Sequence, residues 1–313
     1  MNEDVLSQSL IGESSEMREV RAQVAALAPL PSPVLIRGAT GTGKELVARG
    51  IHLLSGRTGA FVAVNVTAIA EGTFESMMFG HVRGAFTNAI ADKPGYLAEA
   101  TNGTLLLDEG ADMSAAAQVK LLRVLEDGKH RPVGASRDRE NNCRILTATS
   151  RDFRILIELG LIREDFAERM STFVIVLPPL SDRREDIPAI AEFHAVKFGE
   201  RDGISPLRFT KDAIAALCAH DWPRNVRELR NVVERLHILC HGRVARDSDV
   251  ALALAVNLPP RPPRVIDHDE PELLLAALEA ARWDTSKAAK MLGVARSTIY
   301  RQVHRFGITL PRR

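Results

Sequence analysis

Short apolar runs rich in β-branched residues alternate with helical stretches up to about residue 180. The runs are Val34–Arg37, Phe61–Val66, Thr104–Leu107, Arg144–Ala148 and Phe173–Leu177. Each is nearly continuous in apolar character, as parallel strands covered by helices on both faces are. The alternation predicts a doubly wound α/β domain. From Arg183 to about Val256 the pattern turns helical. Val226, Leu229, Val233, Leu236 and Cys240 recur at three- and four-residue spacing, with Pro223 before the run and Gly242 after it, which are helix start and stop signals. The stretch Leu258–Glu270 carries four prolines and reads as a semi-rigid linker. A separate helical unit follows.

Composition changes this picture little. The 313 residues are 45% hydrophobic and 26% charged, an ordinary globular balance with material for about two domains. Lys plus Arg is 41 against 40 Asp plus Glu, so any nucleic-acid surface must be local. The start MNEDVLSQSL is acidic and lacks a secretory pattern, and no apolar run nears the ~18 residues a membrane span needs. Cys143, Cys218 and Cys240 form no CxxC pair; they are expected to be buried free thiols in a reducing cytoplasm.

Candidate chemistry begins after the first apolar run. Val34–Ile36 leads into Gly38, Ala39, Thr40, Gly41, Thr42, Gly43, Lys44 and Glu45, and a helical pattern follows. Glycines let backbone N–H groups converge on phosphate oxygens, the helix start adds positive potential, and Lys44 would reach the β- and γ-phosphates of ATP. A bare strand-to-helix turn is the plainer alternative. The general pattern wants Ser or Thr where Glu45 stands. Thr104–Leu107 ends in Asp108 and Glu109; Asp108 would position Mg²⁺ and Glu109 would polarise the attacking water.

These residues, with Ile11-Gly-Glu-Ser, Phe79 to Ala89 (FGHVRGAFTNA), Leu177-Pro-Pro-Leu and Trp222-Pro-Arg-Asn-Val-Arg-Glu-Leu in order, resemble the AAA+ activators of sigma-54 RNA polymerase. The resemblance covers about residues 10 to 308 and makes Glu45 the family's own habit. It implies an AAA+ P-loop NTPase subdomain over 11–180 behind a tail at 1–10. It further implies a helical lid over 181–257, a linker at 258–269 and an all-α Fis-type helix-turn-helix over 270–313. A ring, usually a hexamer, would hold ATP between subunits, with Ile11 and Arg227 at the nucleotide, Arg227 being the lid arginine that senses it. Asn65 would hold Glu109 in a switchable pose. Thr149 and Ser150 would form the sensor, and Arg163 and Arg169 would be offered to the neighbour's γ-phosphate. Gly84, Ala85, Phe86, Thr87, Asn88 and Ala89 would contact sigma-54.

Towards the carboxy terminus, Asp269–Ala281, Thr285–Leu292 and Arg296–Phe306 read as three helices. Ala288, Leu292, Val294, Ile299 and Val303 are the expected core, and Ala289 and Gly293 permit a close helix approach. No acidic residue follows Asp284, whereas Lys287, Lys290, Arg296, Arg301, Arg305, Arg312 and Arg313 are basic, an electrostatic footprint for DNA phosphates. Arg296, Ser297, Thr298, Arg301 and Gln302 would face the major groove, with Lys287 and Arg305 nearby.

The chain departs from the family at three places. Asn88 stands where glycine is usual, Gly110 and Ala111 follow Glu109 in place of isoleucine and glycine, and Ser150 replaces the sensor asparagine with a shorter reach. These departures keep open a second reading, a DNA-binding regulator with an impaired motor or loop, working in a mixed ring or at other promoters. An AAA+ machine of DNA processing is disfavoured by the 84–89 segment. With only ten residues before Ile11, no receiver domain is expected there, and control is expected from a separate regulatory protein or a related subunit.

Overall fold

The five apolar runs are the five strands of one parallel sheet. They are Val34–Arg37 (β1), Phe61–Asn65 (β2), Thr104–Asp108 (β3), Arg144–Thr149 (β6) and Phe173–Val176 (β7), in the order β2-β3-β6-β1-β7. A two-residue hairpin, Lys129–His130 (β4) with Arg139–Glu140 (β5), is antiparallel and too short to have a sequence period. The computed structural model describes residues 6, 9–87, 89–255, 271–281, 283–292, 294, 299, 302–303, 305–306 and 308.

Side-chain alternation divides the sheet into two apolar faces. Leu35, Leu105, Leu107 and Ile145 pack on one side with helices Glu71–Phe79 (α3), Ala115–Asp127 (α5), Phe153–Glu158 (α6) and Glu164–Met170 (α7). Val34, Ile36, Leu106, Leu146 and Ile175 pack on the other with Ser15–Leu27 (α1) and Lys44–Leu54 (α2). A short helix, Tyr96–Glu99 (α4), precedes β3. Parallel register places Arg37 opposite Thr149, Ala148 opposite Asp108, and Asp108 opposite Asn65. The carboxyl ends of four strands therefore form one edge, where open α/β sheets bind their ligands.

Four helices, Ile187–Asp202 (α8), Lys211–Ala219 (α9), Asn225–Cys240 (α10) and Asp247–Ala255 (α11), enclose a second core around Trp222, Leu229, Val233 and Leu236. Trp222 is buried and its indole N–H donates to Leu217 O at 2.9 Å. Ile11 packs against this core, and the chain after it is gripped by Asp186. That buried carboxylate accepts from Glu13 N at 2.7 Å, Ser14 N at 2.8 Å and Ser14 Oγ at 2.7 Å. Helices Pro271–Ala280 (α12) and Thr285–Met291 (α13) pack with Ala288, Ile299 and Val303 in a small core joined by Leu292 and Val294. Gly293 lies outside the described residues.

Among the described residues no helix is long and apolar enough to cross a membrane. The cysteines are free, but only Cys240 is fully buried; Cys143 and Cys218 are half-buried. The Cys143 thiol is nonetheless pushed up to about 12, chiefly by burial.

Replacing Asp186 with alanine strands three donors at once, a loss on the order of 2–4 kcal/mol for a buried charge-assisted cluster. Thermal unfolding followed by circular dichroism should show the transition lowered by about 5 °C or more, with Asp186→Asn intermediate. An unchanged transition would mean that the grip on residues 13–14 contributes nothing.

Candidate functional site

The segment 38–43 joins the end of β1 to the start of α2, and every carbonyl in it is taken. Lys44 Nζ donates to Gly38 O at 2.9 Å, and Thr42 Oγ1 donates to Ala39 O at 2.8 Å. Thr40 O accepts from Asn225 Nδ2 at 3.0 Å, Gly41 O from Arg227 N at 3.3 Å, and Thr42 O from Arg183 Nη2 at 3.0 Å. Gly43 O accepts from Leu46 N and Val47 N. With these oxygens occupied, the amides of Gly41 and Gly43 donate to no acceptor among the described residues. A loop so arranged is a cradle for an anion at a helix N-terminus. Gly41 has a second duty. At φ +84 a Cβ there would lie 2.2 Å from Arg224 O, so only glycine lets the lid helix rest on the loop.

Glu45 is not turned toward this cradle. It is half-exposed and pairs with Arg49 one turn on at 2.7 Å, a surface pair of small energetic weight. Arg227 is exposed at the first turn of α10, with its Cβ beside Gly41.

Beside the loop stand the two carboxylates. Burial, then the neighbouring Glu109 charge, raise the Asp108 pKa, while Lys44 opposes them. Two adjacent acids facing one lysine and a row of amides fit a divalent cation bound with a polyphosphate: oxygen donors suit Mg²⁺, and its charge would relieve their repulsion. Glu109 is in the left-handed region at φ 50, a strained pose for a side-chain-bearing residue. Ser150 holds it there, donating from N to Glu109 Oε2 at 3.1 Å and from Oγ to both carboxylate oxygens at 3.3 Å. The strand end thus brings both the backbone amide and the hydroxyl of Ser150 onto Glu109. Asn65 does not hold Glu109 in this state; its Oδ1 accepts from Thr67 N at 3.0 Å and Thr67 Oγ1 at 2.7 Å. Thr149 is buried and accepts Gly38 N at its carbonyl, 3.2 Å, tying the sensor strand to the phosphate loop. Gly110 is accommodated where a Cβ would meet Thr147 Cγ2 at 2.7 Å.

The remaining predicted residues lie apart from the loop. Arg163 caps the start of α7 and pairs with Asp165 at 2.7 Å, and Arg169 donates to Leu125 O at 3.2 Å. Both are on the surface, free of the chain's own phosphate cradle. The 84–89 segment forms a closed loop in which Gly84 N donates to Ala89 O at 2.8 Å and Ala89 N to Phe86 O at 2.9 Å. Phe86 is 46% exposed, whereas Ala89 is only 6% exposed. Gly84 and Thr87 are exposed and Ala85 partly so, and Asn88 lies outside the described residues. Ala89 is therefore corrected from a contact residue to a closure residue of the loop.

In the carboxy-terminal unit Lys287 and Arg305 are exposed. Arg296, Ser297, Thr298 and Arg301 lie outside the described residues. Gln302 is 1% exposed; its assignment to the DNA face is corrected, since a side chain facing the helical core cannot read a base edge.

Sequence reasoning missed Asn225 and Arg183. Asn225 also accepts Leu180 N at 2.8 Å and adopts φ 55; Arg183 is 2% exposed, and burial lowers its pKa against the opposing pull of Asp186. The signal for Asn225 was the WPRNVREL string itself, read only as a match; Arg183 lies outside it and had none.

Residues 10–176 match the sigma-54 interaction domain family, residues 181–263 the AAA+ ATPase lid domain and residues 269–306 the Fis family of bacterial regulatory proteins. The chain is 37% identical over 342 residues to the DNA-binding transcriptional regulator NtrC of Rhizobium meliloti (strain 1021), covering 97% of this chain and 70% of that protein. It is 41% identical over 302 residues to the Nif-specific regulatory protein of Azotobacter vinelandii, covering 93% and 58%. Among solved structures, NtrX from Brucella abortus in complex with ATP superposes with a TM-score of 0.73 at 35% identity, over 98% of this chain and 72% of that one. The chain thus spans between 58% and 72% of the length of these three proteins. A phosphate cradle under a helical lid, a paired-carboxylate strand end and these matches assign the chain to the family of sigma-54-dependent transcriptional activators, an AAA+ domain joined to a Fis-type helix-turn-helix.

Proposed function

We propose that this chain binds and hydrolyses ATP at the junction between subunits of a ring and uses the cycle to remodel sigma-54 RNA polymerase at promoters upstream of which it is bound. The observation that carries the reading is the amide cradle above Lys44, bordered by Asp108 and a Glu109 held off by Ser150. The Gly41 and Gly43 amides and the Lys44 ammonium would bind the β- and γ-phosphates, as donors at a helix start do. The solved NtrX relative with ATP supports this choice of ligand. Asp108, with Glu109, would hold Mg²⁺, which neutralises phosphate charge when bound. For hydrolysis Glu109 would leave Ser150 and accept a proton from the attacking water, and Asn65, opposite Asp108 in the strand register, would leave Thr67 to steer it.

Arg163 and Arg169, exposed and bonded to Asp165 and Leu125 O respectively, would meet the phosphate of a neighbouring copy. An arginine in that role contributes ~10³-fold or more to the rate. Phe86 and Thr87 at the loop tip would contact sigma-54, and Lys287 and Arg305 would contact DNA phosphates. A ring of subunits, and a separate regulatory protein or related subunit acting on it, complete the proposal. ATP can favour one loop position only by binding the two states unequally.

Open-complex formation with purified sigma-54 polymerase tests this reading. The wild type plus ATP should open the promoter and Lys44→Ala should not. A silent wild type with an active Asn88→Gly would establish instead a regulator whose loop is impaired.

Asp108 yields a second expectation. Its pKa is raised in the folded state, so the folded carboxylate is disfavoured: the cost is absent below the ordinary carboxylate pKa and complete once pH exceeds the raised value. Asp108→Asn should therefore raise the melting temperature of the nucleotide-free protein by about 1–3 °C at neutral pH, lose that advantage near pH 4, and abolish ATP hydrolysis. A variant no more stable than wild type at neutral pH would contradict the sign of the shift.

A further inference from the structure

Phe86 is half out of the protein, and something fixes the other half. The loop's stem is a small backbone lattice. His81 and Lys93 exchange N–H···O bonds at 3.0 Å each, Val82 N donates to Val133 O at 3.1 Å, and Val133 N donates to Gly80 O at 2.9 Å. Arg83 N donates to Asp92 Oδ1 at 2.8 Å. These contacts fix the stem and leave the tip to side chains. The His81 ring meets Phe86 edge-on, with centroids 4.9 Å apart and planes at 62°, within the range of a favourable aromatic pair. A 2.8 Å hydrogen bond links His81 Nδ1 to Ser76 Oγ. Ser76 lies in the last turn of α3, whose C-terminal cap is Gly80. The imidazole is thus held on two sides, its backbone by the stem and its ring by the helix.

We propose that Ser76 and His81 are positioning residues, a latch that keeps Phe86 down on the loop base and so sets how often the ring is presented to the partner. The proposal rests on the reading that this loop meets sigma-54. Ser76 fixes the imidazole rotamer, and the imidazole edge supplies the surface on which Phe86 rests. A single edge-to-face pair biases a two-state side-chain equilibrium by about two- to tenfold. The latch is therefore weak enough for a nucleotide-driven change to open it.

The test places 4-fluorophenylalanine at position 86 of the full chain and follows its fluorine resonance, with sigma-54 retention measured separately with and without nucleotide. His81→Ala and Ser76→Ala should each move the resonance toward its denatured-protein position while cooperative melting is retained. Ser76→Thr, which keeps the hydroxyl, should leave the resonance where wild type has it. Sigma-54 retention should change by about two- to tenfold in both alanine variants. A wild-type resonance in either alanine variant overturns the latch, as does a Ser76→Thr shift equal to that of Ser76→Ala. Moved resonances with unchanged sigma-54 retention overturn the positioning role. If wild type retains no sigma-54 under any nucleotide, the reading of the loop fails, and the fluorine spectra still score the latch on their own.

Discussion

Every carbonyl oxygen of residues 38–43 is hydrogen-bonded, three of them by residues far along the chain, and the rest of the site depends on that constraint. With its oxygens so occupied, the segment leaves the Gly41 and Gly43 amides, which donate to no acceptor among the described residues, to hold an anion. The donors come from four places: Thr42 within the loop with Lys44 just after it, the Leu46 and Val47 amides of α2, Arg183 at the entry to the lid, and Asn225 with the Arg227 amide at the start of α10. Two of these sources belong to the lid. Loop shape and lid position are therefore one equilibrium. Nucleotide that stabilises the loop must favour the lid pose, and the lid pose must favour nucleotide in equal measure.

The carboxylate edge is arranged in the opposite sense, as a held-off state. Burial and Glu109 disfavour the Asp108 charge, and Glu109 is in a left-handed backbone pose with its carboxylate on Ser150. Like charges side by side and a strained residue persist only where surrounding structure enforces them. Here the enforcing structure is the register of β3 against β6, which brings the Ser150 amide to the acid, and the small Gly110, which lets the following turn close on Thr147. Cation, phosphate and a moving Glu109 would all relax the same tension.

Much of this was legible in the chain. The central strands β1, β3 and β6 are buried and read as unbroken apolar runs; the edge strands β2 and β7 are partly exposed yet equally apolar. All five were therefore found within a residue or two of their ends, and the glycine loop and Asp108–Glu109 fell at strand termini as their chemistry requires. The β4–β5 hairpin was invisible because two residues carry no period. Asn225 and Arg183 were missed because bonds from a side chain to a carbonyl far along the chain leave no local pattern. Ala89 and Gln302 were misassigned for a related reason: a motif or a basic stretch says which segment faces a partner, but not which way each side chain within it points. Ser150 was judged by side-chain length, whereas its backbone amide also reaches Glu109.

The claim that the lid shapes the phosphate cradle is tested most directly by equilibrium binding of a fluorescent ATP analogue to wild type and to Asn225→Ala, both shown to be folded by circular dichroism. Losing the amide leaves Thr40 O and Leu180 N without their partner, a cost of about 1–3 kcal/mol. Affinity should accordingly fall by about tenfold or more. Equal affinity in the two proteins would contradict the account, since the loop would then hold its shape without the lid.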